Sequence, residues 1–290
     1  MNTQQFAHST ETKYLVRPEG RVAYDIAGNG PLVVLVPGMG DLRSSYRLLA
    51  PKLVAAGYTV ASTDLRGHGD SDTSFSTYGD SDTADDVAAL IDSLHRPAVI
   101  VGNSLGAAAA VLVAARRPEL VTGVALVDAF VRNPTNANAL TLAAFRILTA
   151  RPWAATVWKG YLPSLYKGTR PADFDQYLAS VVAGLRRPGY AKAFSLTSHT
   201  SHDEAERSLP LVTAPALVVM GALDPDFKDP AAEAAWIAAQ VHADAVMIPD
   251  SGHYPQSQQP TATADALLPF LAKTTGGPAA SAVGTARDNA

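Results

Sequence analysis

The stretch VGNSLGAAAAVLVAA, Val101 to Ala115, decides how the rest of the chain is read. It follows the apolar run Ala98–Val101 and holds Ser104 between Gly102 and Gly106, ahead of an alanine-rich segment running to Arg117. In one reading, small residues simply let a strand turn into a helix. In the other, the turn holds Ser104 out as a nucleophile. Gly-x-Ser-x-Gly between strand and helix forces a sharp turn whose glycines relieve backbone clashes. The helix behind it aims N–H groups at the place where negative charge develops. A serine hydroxyl is a weak nucleophile until a base takes its proton, so the chain must also supply a base.

Of seven histidines, His253 has the best context. It lies in PDSGHYPQ, after the strand-like Ala245–Ile248 and before a helix-like Thr261–Leu271. Loops at the C-terminal ends of parallel strands are where such sheets place ligands. His68, in DLRGHGDSD, reads as structural. His199 and His202 face either solvent or substrate, and His8, His95 and His242 have no supporting context. An imidazole base needs a carboxylate on its second nitrogen. Asp224, in VVMGALDPDF after the strand-like Ala216–Met220, is the first candidate. Asp128, at the end of the strand-like Val121–Val127, and Asp226 remain alternatives. The order Ser104, Asp224, His253 is the order of this triad on an α/β sheet. The loop in VLVPGMGD offers the Met39 N–H as one oxyanion donor, and Leu105, after the serine, offers the other. Each such donor is worth about 3 kcal/mol in acyl transfer. Taken alone, PGMGD also reads as a plain loop.

Strand-like and helix-like segments alternate around this stretch, which predicts a mostly parallel sheet with helices on both faces. The strand-like segments are Lys13–Arg17, Arg21–Ala27, Leu32–Val36, Thr59–Thr63, Ala98–Val101, Val121–Val127, Ala216–Met220 and Ala245–Ile248. Ser45–Ala56, Ser81–Leu94, the run to Arg117, Pro230–Val241 and Thr261–Leu271 read as helices. Between Val127 and Ala216 the alternation stops. Leu140–Leu148, Trp153–Tyr161, Ala172–Leu185 and Tyr190–Ser198 are helix-like there, long enough together for a cap. The expected organisation is a core of residues 13–129 and 210–272, a cap of 130–209, an N-terminal segment 1–12 and a disordered tail 273–290.

These residues resemble the α/β-hydrolase fold, in the group with a helical cap after the sixth strand. Gly102-Asn103-Ser104-Leu105-Gly106 matches the nucleophile elbow, DLRGHGDS (Asp64–Ser71) the D-x-R-G-x-G-x-S loop, GALD the acid turn and SGHYP the histidine loop. The resemblance covers roughly residues 13–272 and implies an eight-stranded, mostly parallel sheet. It implies a cofactor-free serine hydrolase with Ser104, Asp224 and His253 catalytic and Met39 and Leu105 holding the oxyanion. Two departures stand out. Pro37-Gly38 replaces the usual His-Gly of the oxyanion loop. Asn103 stands before the nucleophile, as in the subgroup that cleaves C–C bonds of vinylogous diketones, although Tyr254 replaces that subgroup's tryptophan. An epoxide hydrolase or dehalogenase of this family would carry aspartate at position 104. The implied substrate is a small or medium apolar ester or lactone. The alternatives are a C–C bond hydrolase and a ligand receptor of slow turnover. The cap aromatics Phe145, Trp153, Trp158, Tyr161, Tyr166, Phe174 and Tyr177 either pack the cap or wall a ligand cavity, and Arg186 and Arg187 either meet a substrate carboxylate or face solvent.

Composition narrows the remaining classes. The chain has 290 residues, a net charge of −4 and no cysteine. That excludes disulfides, thiolate metal sites and a cysteine nucleophile, and gives no basic surface for nucleic acid or anionic membrane. No metal-ligand spacing, phosphate loop or dinucleotide fingerprint appears, so neither metal nor cofactor is expected. The polar N-terminus and the lack of a run near 20 apolar residues point to a soluble, cytoplasmic protein acting on a small molecule. Oligomeric state has no signature in the sequence.

Overall fold

The computed structural model describes residues 11–133, 147–150 and 152–276. Eight strands form one sheet in the order β1-β2-β4-β3-β5-β6-β7-β8. They are β1 (Lys13–Arg17), β2 (Gly20–Ala27), β3 (Leu32–Val36), β4 (Thr59–Thr63), β5 (Ala98–Asn103), β6 (Val121–Val127), β7 (Ala216–Gly221) and β8 (Asp244–Ile248). β2 runs antiparallel to both β1 and β4, and every other neighbouring pair is parallel.

β3, at the centre of the sheet, is apolar and buried at every position because helices cover both faces. Val34, Val36, Ile100, Val124, Leu126, Val218 and Met220 pack with Val87 and Ile91 of α2 (Asp80–Ser93) and with the alanines of α3 (Leu105–Arg116). The alternate residues Val33, Leu35, Val99, Val101, Val127 and Val219 pack with Leu49, Leu53, Leu267 and Leu271 on the other face. Burying each Val or Leu is worth about 1.5–3 kcal/mol. Exposed pairs such as Arg117 with Glu119 are screened by solvent and contribute little, so the two apolar layers hold the sheet.

Three helix expectations change. The segment expected as one helix, Ser45–Ala56, is a 3₁₀ turn at Arg43–Tyr46 followed by α1 (Ala50–Ala55). Tyr46 is drawn into the core, where its hydroxyl donates to Val36 O at 2.9 Å, and Pro51 favours a fresh helix start. The last helix runs from Pro260 to Thr275 and stops at Gly276, whose φ is +61°. Lys273–Thr275 are therefore helical rather than tail, while the rest of the expected tail (277–290) and residues 1–10 lie outside the described residues. A short helix at Asp203–Ser208 has no apolar period to announce it; only Ala205 and Ser208 are buried.

After β6, the helices Ala154–Leu165, Phe174–Leu185 and Tyr190–Thr197 build a third apolar cluster. The expected Leu140–Leu148 falls mostly outside the described residues. Trp158, Leu162, Tyr166, Phe174, Tyr177 and Phe194 pack together there, and Tyr254 and Met39 join them from loops at the strand ends. Most of the cap aromatics thus fill the cap's own core; Trp153 and Tyr161 are exposed, and Phe145 lies outside the described residues.

Candidate active site

Parallel register brings the candidate residues into one row. Val36 pairs with Gly102, Asn103 with Val127, Val127 with Val219, and Gly221 with Ile248. The loops that follow these strand ends therefore open side by side, carrying Met39, Ser104, Asp128, Asp224 and His253.

Ser104 has φ 56° and ψ −120°, a conformation that L residues rarely adopt. Gly102 and Gly106 permit it: a Cβ on Gly102 would strike the carbonyl of Gly106, and one on Gly106 would strike the carbonyl of Val36. Ser104 N donates to Val127 O at 2.9 Å, and Phe130 N donates to Ser104 O at 3.3 Å, so β6 braces the turn from the side. Leu105 opens α3, and an N–H in a first helical turn has no intrahelical acceptor. Gly38 lies over the serine; a Cβ there would come within 2.8 Å of Ser104 Cβ and 3.3 Å of its Oγ.

His253 Nδ1 lies 2.7 Å from Asp224 Oδ2. Asp226 Oδ2 is 3.8 Å away, and Asp226 instead accepts from the Tyr161 hydroxyl at 2.7 Å. Of the three candidate acids, geometry pairs Asp224 with the imidazole. Burial opposes charge on both partners, yet their mutual attraction and hydrogen bond outweigh it. Asp224 is held below the usual carboxylate range and His253 above the usual imidazole value.

Asp128 stands beside this pair. The ligand atoms of Asp128, Asp224 and His253 all lie within 4.8 Å of one another. Two ligands of one zinc ion sit about 2.0–2.2 Å from it and hence more than 3 Å apart, so the 2.7 Å Asp224–His253 contact is a hydrogen bond rather than a shared ion. Asp128 Oδ1 accepts from Gly221 N at 2.8 Å, while its buried Oδ2 has no donor. Burial and the neighbouring Asp224 charge push the Asp128 carboxyl well above its ordinary value. Asp128 thus favours its neutral form beside the Asp224–His253 pair, a tendency that the sequence does not display.

Asn103 is fully buried, and its Nδ2 donates to Val127 O at 3.2 Å and to His253 O at 3.1 Å. The side chain faces inward and ties the histidine loop to the elbow. Its partner is 150 residues away, so no local pattern announces the contact.

The remaining histidines separate clearly. His68 is buried, with Nε2 accepting from Gly40 N at 3.0 Å. His202 Nδ1 lies 2.6 Å from Asp80 Oδ2, tying the residue before the Asp203–Ser208 helix to the start of α2. His95, His199 and His242 are exposed, and His8 lies outside the described residues. In DLRGHGDS, Asp64 accepts from Arg43 N at 2.7 Å and Asp70 N at 3.0 Å, while Arg66 pairs with Asp86 at 2.8 Å; the motif shapes the loop. Arg187 bonds Gly69 O and stacks on Tyr190 at 3.8 Å, and Arg186 is exposed. Among the described residues, no helix is long and apolar enough to cross a membrane.

The model of the alpha/beta hydrolase family matches residues 33–266. The chain is similar to 2-(acetamidomethylene)succinate hydrolase from Mesorhizobium japonicum, 29% identical over 260 residues, which cover 87% of this chain and 92% of that protein. Human monoglyceride lipase is 26% identical over 200 residues, 67% of this chain and 65% of the lipase. The structure of a thermophilic esterase from Thermogutta terrifontis shares the fold, with a TM-score of 0.77 at 22% identity over 91% of this chain and 99% of that one. The family match spans the elbow at Ser104, the acid turn at Asp224 and the histidine loop at His253, and on that breadth the chain belongs to the alpha/beta hydrolase family and is an enzyme of it.

Proposed function

We propose that the protein is a serine hydrolase that cleaves a small or medium apolar carboxylic ester or lactone through an acyl-enzyme. Ser104 Oγ attacks the carbonyl carbon as its proton passes to His253. Asp224 fixes the imidazole tautomer and stabilises the imidazolium. The carbonyl oxygen takes up the negative charge and is held by the Met39 and Leu105 N–H groups. Collapse breaks the ester bond, and the leaving alkoxide takes the proton from His253. Water, deprotonated by the same histidine, then releases the acid.

The observation that carries this reading is the 2.7 Å Asp224–His253 pair in the loop row that contains the strained Ser104. The proposal sets the enzyme in the cytoplasm, working on a small molecule without a cofactor. Its test is a panel of p-nitrophenyl esters of increasing chain length together with lactones, assayed with wild type and Ser104→Ala. Repeated turnover of at least one member, lost in the variant, supports it; a wild type inert on the whole panel counts against it. Repeated turnover also separates an enzyme from a receptor.

A second reading is hydrolysis of a more specialised bond. The Mesorhizobium relative, named for 2-(acetamidomethylene)succinate, favours it because the similarity runs over 87% of this chain. Asn103 Nδ2 is committed to Val127 O and His253 O, contacts that brace the loops whichever bond is cut, so Asn103 does not favour either reading. The panel therefore includes a carboxylate-bearing enamide and a vinylogous diketone, and preference for either by a factor above 10 over every ester would favour this reading.

A further inference from the structure

Between Pro37 and Gly40 the sequence is Pro-Gly-Met-Gly, with no side chain able to form an ordinary hydrogen bond. The loop must be shaped by other segments, and three contacts do so. Asp41 N donates to Gly38 O at 3.3 Å. Gly40 N donates to His68 Nε2 at 3.0 Å. The Trp158 indole Nε1 donates to Gly40 O at 2.8 Å.

Each contact holds a different peptide plane: 38–39, 39–40 and 40–41. A trans peptide is rigid, with its N–H and C=O pointing opposite ways. Turning Gly38 O toward Asp41 therefore turns the Met39 N–H away from it. The other two planes limit how far that peptide can swing. His68 accepts at Nε2 and lies 3.1 Å from Arg66 O at Nδ1, which requires the neutral tautomer protonated on Nδ1. Burial favours neutrality by pulling this histidine down to about 4. The packing is tight as well. Gly40 has φ +71°, and a Cβ there would lie 2.5 Å from the Trp158 ring and 2.7 Å from Phe194. Phe194 stands 5.0 Å from the Trp158 ring and 6.3 Å from His68, bridging the two.

We propose that His68 and Trp158 are positioning residues that aim the Met39 N–H at the oxyanion, one gripping the Gly40 peptide from the core and the other from the cap. The proposal rests on the serine-hydrolase reading. Cap docking then forms part of oxyanion-hole assembly, because the Trp158 bond exists only when Ala154–Leu165 is seated on the loop.

The test uses the full chain as His68→Leu, which removes the acceptor, His68→Gln, which restores one, and Trp158→Phe, which keeps a ring but loses the N–H. Three quantities are compared: kcat and KM on an activated ester, and inhibition by an alkyl trifluoromethyl ketone, whose adduct on Ser104 carries an oxyanion. A misaimed donor is expected to lower kcat about 10- to 100-fold in His68→Leu and Trp158→Phe, less than the roughly 100- to 1000-fold cost of a donor removed outright. Ketone affinity should fall by the same factor, KM should stay unchanged, and His68→Gln should recover most of the loss. Amide hydrogen exchange over residues 38–41 should quicken in the two damaging variants while β6 stays protected.

Unchanged kcat and ketone affinity in folded Trp158→Phe would overturn the proposal, as would His68→Gln no better than His68→Leu. Should His68→Leu not fold, Trp158→Phe and His68→Gln decide. A wild type that neither turns over the ester nor binds the ketone overturns the serine-hydrolase reading, and the clamp with it. An active wild type with indifferent variants overturns the clamp alone.

Discussion

The side-chain amide of Asn103 donates to the backbone oxygen of His253 across 3.1 Å, joining the residue before Ser104 to the loop that carries the imidazole. Asn103→Ala leaves the His253 carbonyl without this donor in a buried site, while Val127 O keeps the bond from Ser104 N. The predicted loss of stability is about 1–3 kcal/mol, read as a lower denaturant midpoint with unchanged slope. Misplacing the imidazole should also lower kcat by about 10-fold or more with KM unchanged. If Asn103→Ala matches wild type in both measurements, the contact positions nothing.

The neighbouring carboxyls should respond unequally. Asp224→Asn is expected to lower kcat by about 10⁴-fold, because the amide favours the wrong imidazole tautomer. Asp128→Asn should cost less than about 10-fold, since an amide still accepts from Gly221 N and is neutral, the form that burial favours for Asp128. Kinetics of the two variants side by side check this. The opposite order would transfer the acid's role to Asp128.

What was legible in the sequence had a local cause. The Leu32–Val36 strand was readable because both faces are buried, which leaves a continuous apolar run, and Val121–Val127 because Thr122 alone interrupts its small and apolar residues. Ser104, Asp224 and His253 were readable because each sits in a turn directly beyond a strand. Asn103 and His68 were visible as residues but not as contacts, since their partners lie 150 and 28 positions away. The upward shift of the Asp128 carboxyl comes from burial and from Asp224, 96 positions along the chain, which no local pattern shows. Lys273–Thr275 looked like tail because TTGG carries no apolar period, yet Leu271 anchors that last turn in the core.

The pH dependence of kcat/KM follows from the direction of the His253 shift. The base works only when unprotonated, and its proton affinity is raised by Asp224 above the ordinary value of 6.5. Activity should therefore rise with pH along a limb whose midpoint lies above 6.5, and fall as pH drops through it. A midpoint at or below that value would mean that Asp224 does not act on the free enzyme's imidazole.

Asp41, directly after the oxyanion loop, gives a stability prediction. It is fully buried, its carboxyl accepts from the Tyr177 hydroxyl, and burial raises it from 3.8 to about 6. Between these values the folded state binds more protons than the unfolded one, so this group lowers stability as pH rises through that window. A shift of about two units corresponds to about 3 kcal/mol. Asp41→Asn should flatten the wild-type decline between about pH 4 and pH 6 when unfolding free energies are measured across the range. A variant with the wild-type slope would show that Asp41 ionises freely in the fold.

The most direct measurement is the mass of the intact protein after treatment with a fluorophosphonate, followed by mapping of the modified peptide. A single adduct on the peptide containing Ser104, formed by wild type and absent from Ser104→Ala and greatly slowed in His253→Ala, is the predicted result. A wild type that takes up no adduct, or one labelled equally after Ser104→Ala, would contradict the assignment of Ser104 as a nucleophile activated by His253.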